Sequence, residues 1–237
     1  MKKFIWLIIS LINAGAMAFY INSMPDGKIP VHYGLDMQPD RYGSKWEMII
    51  IAFVPAILSL LFIFYRQKTQ NNENVKKNER VENIVIPTIL VMFILLMWVF
   101  LLTLPGKFEM VRFIPTIVSS VLGLVMVIMS NYMSKTKQNR YLGIKTYSTL
   151  HNETVWRKTH RLCGKTGMIG GALMIVSGIA ALFFNGITQM VITLACLFAA
   201  ICLFGVIPSI YAAKLYRKLG PDKAEKADKA ENAENAE

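Results

Sequence analysis

A chain of 237 residues that is 54% hydrophobic and only 17% charged does not have the composition of an ordinary soluble domain. Its net charge of +11 would suit a nucleic-acid binder, but the cations are distributed by segment, and no direct nucleic-acid binding is expected. Its three cysteines show no CxxC or other ligand spacing, so they supply neither a disulfide framework nor a metal motif, and no cofactor is expected.

Six apolar runs approach the roughly 20 residues that a helix needs to cross a hydrocarbon core. They are Phe4 to Tyr20, Glu47 to Tyr65, Ile84 to Leu104, Phe113 to Met129, Thr166 to Phe184 and Met190 to Tyr211. The fold class is therefore an all-α membrane protein with six transmembrane helices. Lys2, Lys3 and the Ala16-Met17-Ala18 stretch also resemble a secretory signal with a small-residue cleavage site. A retained helix is preferred because the apolar run continues through Phe19 and Ile21.

The cations fix the orientation. Lys and Arg number 2 at the N-terminus, 5 in 66–83, 8 in 131–165 and 6 in the tail, against 3, 2 and 0 in the other three loops. The positive-inside rule then places both termini and the basic inner loop 130–165 in the cytoplasm, with the outward loop 21–46, 105–112 and 185–189 on the other side. Four regions follow: a two-helix unit (1–66), a solvated cytoplasmic linker (67–83), a four-helix unit (84–213) and a charged tail (214–237) that is weakly helical or disordered.

The outward loop is rich in Pro and Gly, which predicts an ordered cap without long secondary structure, although Ile29 to Tyr33 suits a short extended piece. His32, Asp36 and Asp40 stand four residues apart, a spacing that converges on a metal only in a helix, and the prolines oppose one there. Pro55, Pro87 and Pro115 each fall in the opening part of an apolar run, where Pro is ordinary. No ionisable residue lies in the middle of a run, which disfavours an ion-coupled carrier. Asn13, Ser59, Thr88, Ser119, Ser120, Ser177 and Thr193 are left to bond backbone carbonyls or neighbouring helices. No nucleophile or base motif is present, so the chain is read as non-enzymatic.

The segment 153–165 has the pattern of an amphipathic helix, capped by Asn152 or His151, with Glu153 four residues before Arg157. Arg157, Lys158, Arg161 and Lys165 share one arc of roughly 100°, opposite Val155, Trp156, Thr159 and Leu162. Such a helix is expected to rest in the interface with its cations on the anionic inner leaflet. Further on, Gly164, Gly167, Gly171 and Gly178 fall within roughly 60° of one another, a groove for close helix packing, more readily within the chain than between copies.

These residues carry a resemblance. Asn131-Tyr132, Lys135, Lys137 and Asn139, Gly143 to Leu150, Val155 to Arg161 and Gly164-Lys165 together resemble the signature of the SdpI family of bacterial membrane proteins. That family is named for the immunity protein against the sporulation-delaying killing peptide. Ile29 to His32 and Pro39 to Lys45 are similar to the small membrane domain of uncharacterised function that often precedes the signature. The family's Pro-Trp is Tyr147-Ser148 here, and His151 replaces a small polar residue.

The resemblance implies a multi-pass protein of the bacterial cell membrane that protects its cell from a secreted membrane-active peptide toxin. It also implies capture of a cytoplasmic repressor at the membrane. Toxin-facing candidates are Pro30, His32, Pro39, Asp40, Gly43 and Lys45. Inner-loop partner candidates are Asn139, Gly143, Thr146, Glu153, Trp156, Arg157, Lys158, His160 and Arg161. The alternative function is a passive transporter or channel-like permease.

Overall fold

A computed structural model describes residues 4–103 and 111–219 of the chain. The charged tail beyond 219, most of the loop 105–112 and the cations Lys2 and Lys3 lie outside the described residues. Six helices are long and apolar enough to cross a membrane, as expected. In chain order they are α1 (Ile5–Ser23), α2 (Val54–Thr69, the end of a helical span that starts at Lys45), α3 (Glu79–Thr103), α4 (Ile114–Met133), α5 (Glu153–Ala180) and α6, which starts as Gly186–Ile201. A π-turn at Cys202–Val206 carries α6 on toward Leu219.

The polar residues of the spans are used between and within helices. Ser10 of α1 lies 3.0 Å from the Ser59 hydroxyl of α2, and the Trp98 indole of α3 donates to Asn13 Oδ1 at 2.8 Å. Ser119 of α4 donates to the Met174 carbonyl of α5 at 2.7 Å. Thr88 and Thr193 bond back to carbonyls four residues earlier in their own helices. In an apolar surround an unmade bond of this kind is costly, so each one specifies a neighbour or a rotamer. Pro55 and Pro115 open their helices, whereas Pro87 lies well inside α3, because that helix begins at Glu79 rather than near Ile84.

The glycines of α5 decide how the second unit packs. A Cβ on Gly171 would stand 2.7 Å from the Gly123 carbonyl of α4, and a Cβ on Gly123 would stand 2.6 Å from that of Gly171. A Cβ on Gly164 or Gly178 would stand 3.0 Å from the Ser130 or Thr116 carbonyl of α4, and Gly167 lies against the Ser130 hydroxyl and the Phe204 ring. The predicted groove is therefore filled inside the chain. The backbones approach within side-chain distance, which replaces the missing hydrophobic drive with dispersion contact.

Two features depart from the sequence reading. The outward loop is a β-hairpin, β1 (Lys28–Tyr33) against β2 (Pro39–Ser44), antiparallel with an irregular register around His32. Ile29 and Val31 point into a cluster with Met17 and Ile21 of α1, Met48 and Leu101, and that burial holds so short a ribbon in place. The linker 67–83 is not a solvated connector. Thr69, Val75, Asn78, Val81 and Glu82 are buried, and a one-turn helix Glu73–Lys76 precedes α3. Asn78 reaches the loop that follows α4 through the Lys137 peptide.

Candidate functional site at the basic end

The expected interfacial helix does not exist as a separate element. Glu153 to Lys165 forms the first three turns of α5, a continuous helix of 28 residues or about 42 Å, some 12 Å more than a hydrocarbon core. Its apolar arc is covered by the chain itself. Val155, Trp156, Thr159 and His160 are all buried and Leu162 is half-buried, and the loop reaches Trp156 and His160 through Thr136, Gly143 and Ile144.

Asn152 is the N-cap, its Oδ1 accepting from the Val155 N–H at 2.9 Å. One turn on, the Trp156 indole N–H donates to the Thr136 carbonyl at 2.8 Å, fixing the ring under the start of the loop. His160 stacks on it with ring centroids 4.0 Å apart and 20° between planes. Both nitrogens of His160 are committed: Nδ1 lies 2.8 Å from the Trp156 carbonyl, and Nε2 accepts from the Ile144 N–H at 2.9 Å. These partners require the neutral ring protonated at Nδ1. His160 is thus a structural acceptor with no free nitrogen for proton transfer.

The loop is built to reach that acceptor. Gly143 has φ 114°, a conformation open to glycine, and a Cβ there would collide with His160 Nε2. Asn139, itself buried, accepts from the N–H groups of Tyr141 and Leu142 at 2.7 Å each and donates to the Lys137 and Leu142 carbonyls. Thr146 and Thr149 form a reciprocal cap on the one-turn helix Tyr147–Leu150, and Gln138 donates to the Thr149 carbonyl at 2.7 Å. Tyr147, where the family pattern has Pro, is exposed and stacks on His151 at 4.0 Å.

The nine inner-loop candidates therefore divide in two. Asn139, Gly143, Thr146, Trp156 and His160 form the scaffold, while Glu153, Lys158 and Arg161 are exposed and Arg157 is half-buried. Lys165 is exposed on the same helix. Sequence reasoning missed Asn78, whose amide pairs with one peptide of the loop: Nδ2 donates to the Lys137 carbonyl (3.1 Å) and Oδ1 accepts the Lys137 N–H (2.7 Å). Nothing in a polar linker marks one Asn among the five it holds. The Cys163 thiol donates to the Phe204 carbonyl at 3.0 Å, inside the π-turn of α6.

At the opposite end, the six toxin-facing candidates are not equivalent. His32 and Asp40 are exposed and hydrogen-bonded across the hairpin at 2.6 Å, which is what their spacing becomes when the segment is a ribbon. Pro39 is half-buried, while Pro30 and Gly43 are buried. Lys45, also buried, donates to the Met24 carbonyl at 2.6 Å and pairs with Asp26 at 2.9 Å. It ties the end of α1 to the start of the second span. His32 also borders a largely apolar cavity of about 340 Å³, together with Val31, Met37, Phe100, Met174 and Leu197.

Residues 135–211 match the profile of the SdpI/YfhL protein family, and residues 8–62 match that of a domain of unknown function, DUF1648. The second half of the chain is thus similar to the SdpI/YfhL family and the first span pair to DUF1648. Both resemblances read from the sequence are borne out. The loop, its glycine turn and the stacked Trp156–His160 pair all lie inside the SdpI/YfhL match, whereas Asn78 lies between the two matched segments. No curated protein and no solved structure matches the chain.

Proposed function

We propose that this multi-pass membrane protein is a non-enzymatic immunity protein of the bacterial cell membrane, protecting its cell from a secreted membrane-active peptide. The observation that carries this reading is the SdpI/YfhL match, which spans the whole scaffolded loop. In the reading, both termini and the basic end are cytoplasmic and the hairpin faces outward, as the cation pattern requires. The hairpin and the apolar cavity behind His32 meet or exclude the peptide. The exposed cations Lys158, Arg161 and Lys165 stand on a fixed support and hold a cytoplasmic repressor by its acidic surface.

Deleting the gene and challenging the cells with the peptide toxins of the strain and its neighbours tests the immunity half. Sensitivity should rise for at least one peptide and return to normal on complementation; unchanged sensitivity to all of them removes the reading. For the signalling half, Lys158, Arg161 and Lys165 are replaced together by Gln. Recovery of the repressor with the membrane protein should fall while insertion is unaffected.

The passive-permease reading draws on a cavity of about 410 Å³ among Trp6, Ser59, Phe62, Arg66, Asn83 and Pro87, between α1, α2 and α3. Solute flux through the purified protein in liposomes at native density would favour it over the binder.

A further inference from the structure

We propose that the cavity between the inner loop and the linker is a binding site for a phosphate ester, held by Arg140 and Lys145. The cavity encloses about 790 Å³, within the usual range for small-molecule sites and more than a bare phosphate fills. Arg140, Lys145 and His151 line it with the amides of Asn72 and Gln138 and the ring of Tyr141, and no carboxylate is among its described lining residues. Two cations facing donors and no acid make a site for an anion, and a guanidinium beside an ammonium suits the several oxygens of a phosphate.

The backbone around the cavity is held by side-chain hydrogen bonds. Lys145 Nζ donates to the Tyr141 carbonyl at 3.2 Å, which keeps the ammonium beside the Arg140 segment. Asn139 holds the turn that presents Arg140, and Gln138 is bonded to the helix that presents His151. The His151 Nδ1 lies 2.8 Å from the Tyr147 carbonyl, which holds the ring at the cavity wall. Among the described residues neither Arg140 nor Lys145 has an ion-pair partner. None of this depends on the immunity reading. It concerns Arg140, Lys145 and His151, not the α5 cations assigned to a repressor.

The phosphate could belong to a soluble ester or to a lipid headgroup, and one experiment separates them. The full chain is purified in a maltoside detergent, which carries no phosphate, and titrated calorimetrically with glycerol 3-phosphate against sodium chloride at equal ionic strength. Saturable binding is expected, weakened at least roughly tenfold in Arg140→Gln/Lys145→Gln and unchanged in Lys76→Gln/Lys77→Gln. Arg140→Lys, which keeps the charge, retains binding and guards against a folding artefact; hydrogen exchange at 140–146 checks the loop in each variant.

Repeating the titration in nanodiscs containing phosphatidylglycerol identifies the source. Lost binding there assigns the site to the headgroup, and retained binding assigns it to a soluble ester. Equal affinity in the double variant, a response no different from chloride, or binding of a polyglutamate peptide without binding of the ester would each overturn the proposal.

Discussion

The backbone N–H of Ile144 donates to Nε2 of His160 across 2.9 Å, and this bond closes the inner loop onto the first turns of α5. It is possible because Gly143 lets the chain pass against the ring. Replacing Gly143 by Ala should therefore cost about 1–3 kcal/mol of stability or displace His160, since both the positive φ and the added carbon act in the same direction. Thermal unfolding in detergent checks the first outcome, and hydrogen exchange at 140–146 the second.

Trp156 and His160 should behave as one unit. Trp156→Ala is expected to lose about 3–5 kcal/mol, the range for a buried aromatic. His160→Phe keeps the ring but strands the Ile144 N–H, costing about 1–3 kcal/mol. A double-mutant cycle read by unfolding should show coupling between the two, and strict additivity would argue against the stacked arrangement.

The contact between Gly123 and Gly171 makes a sharp contrast among the glycines. Gly171→Val should drive α4 and α5 apart and lower stability by at least about 1–3 kcal/mol, because the clash is with a backbone carbonyl. Gly15 has nothing within 4 Å of a built Cβ, so Gly15→Ala should be neutral or mildly stabilising. The two melting temperatures measured side by side decide the point.

Asn78 clamps the linker to the loop through both faces of one amide. Asn78→Leu should leave the six helices in place and raise hydrogen exchange at Lys137 and its neighbours. It removes the acceptor for one backbone N–H and the donor for its carbonyl.

The Lys45–Asp26 pair predicts an acid limb to stability at the hairpin. Lys45 beside it holds the Asp26 carboxyl below its usual value, first through the hydrogen bond and then through charge. A depressed carboxylate contributes stability that is complete above its unfolded pKa of about 4 and is lost as pH falls through the lower folded value. Asp26 is fully exposed, so the limb should be shallow. Melting temperature from pH 5 downward, wild type against Asp26→Asn, should converge as the pH falls.

Much of the plan is legible in the chain. The spans show in run length, the Asn152 cap in its position before an amphipathic stretch, and the α5 groove in glycine spacing. Those signals are local, set by composition over one element. Gly123 carried the same signal alone, without periodicity, and was not read. The hairpin was missed because its strands are six residues each, carry Pro30 and Pro39, and have an irregular register that hides the alternation. Only their contact with α1 and Met48 makes them strands.

The basic segment shows the division most clearly. By itself the sequence determined that cations and apolar residues occupy opposite faces of one helix, because residue spacing fixes direction around a helix axis. It did not determine what covers the apolar face. Lipid and loop are both apolar enough, and the choice rests on contacts between positions far apart in the chain: Gly143 against His160, Thr136 on Trp156, Asn78 on Lys137. The tertiary structure decided for the loop. That choice turns Trp156 from a membrane-facing residue into part of the support, shared with His160, on which the exposed cations stand.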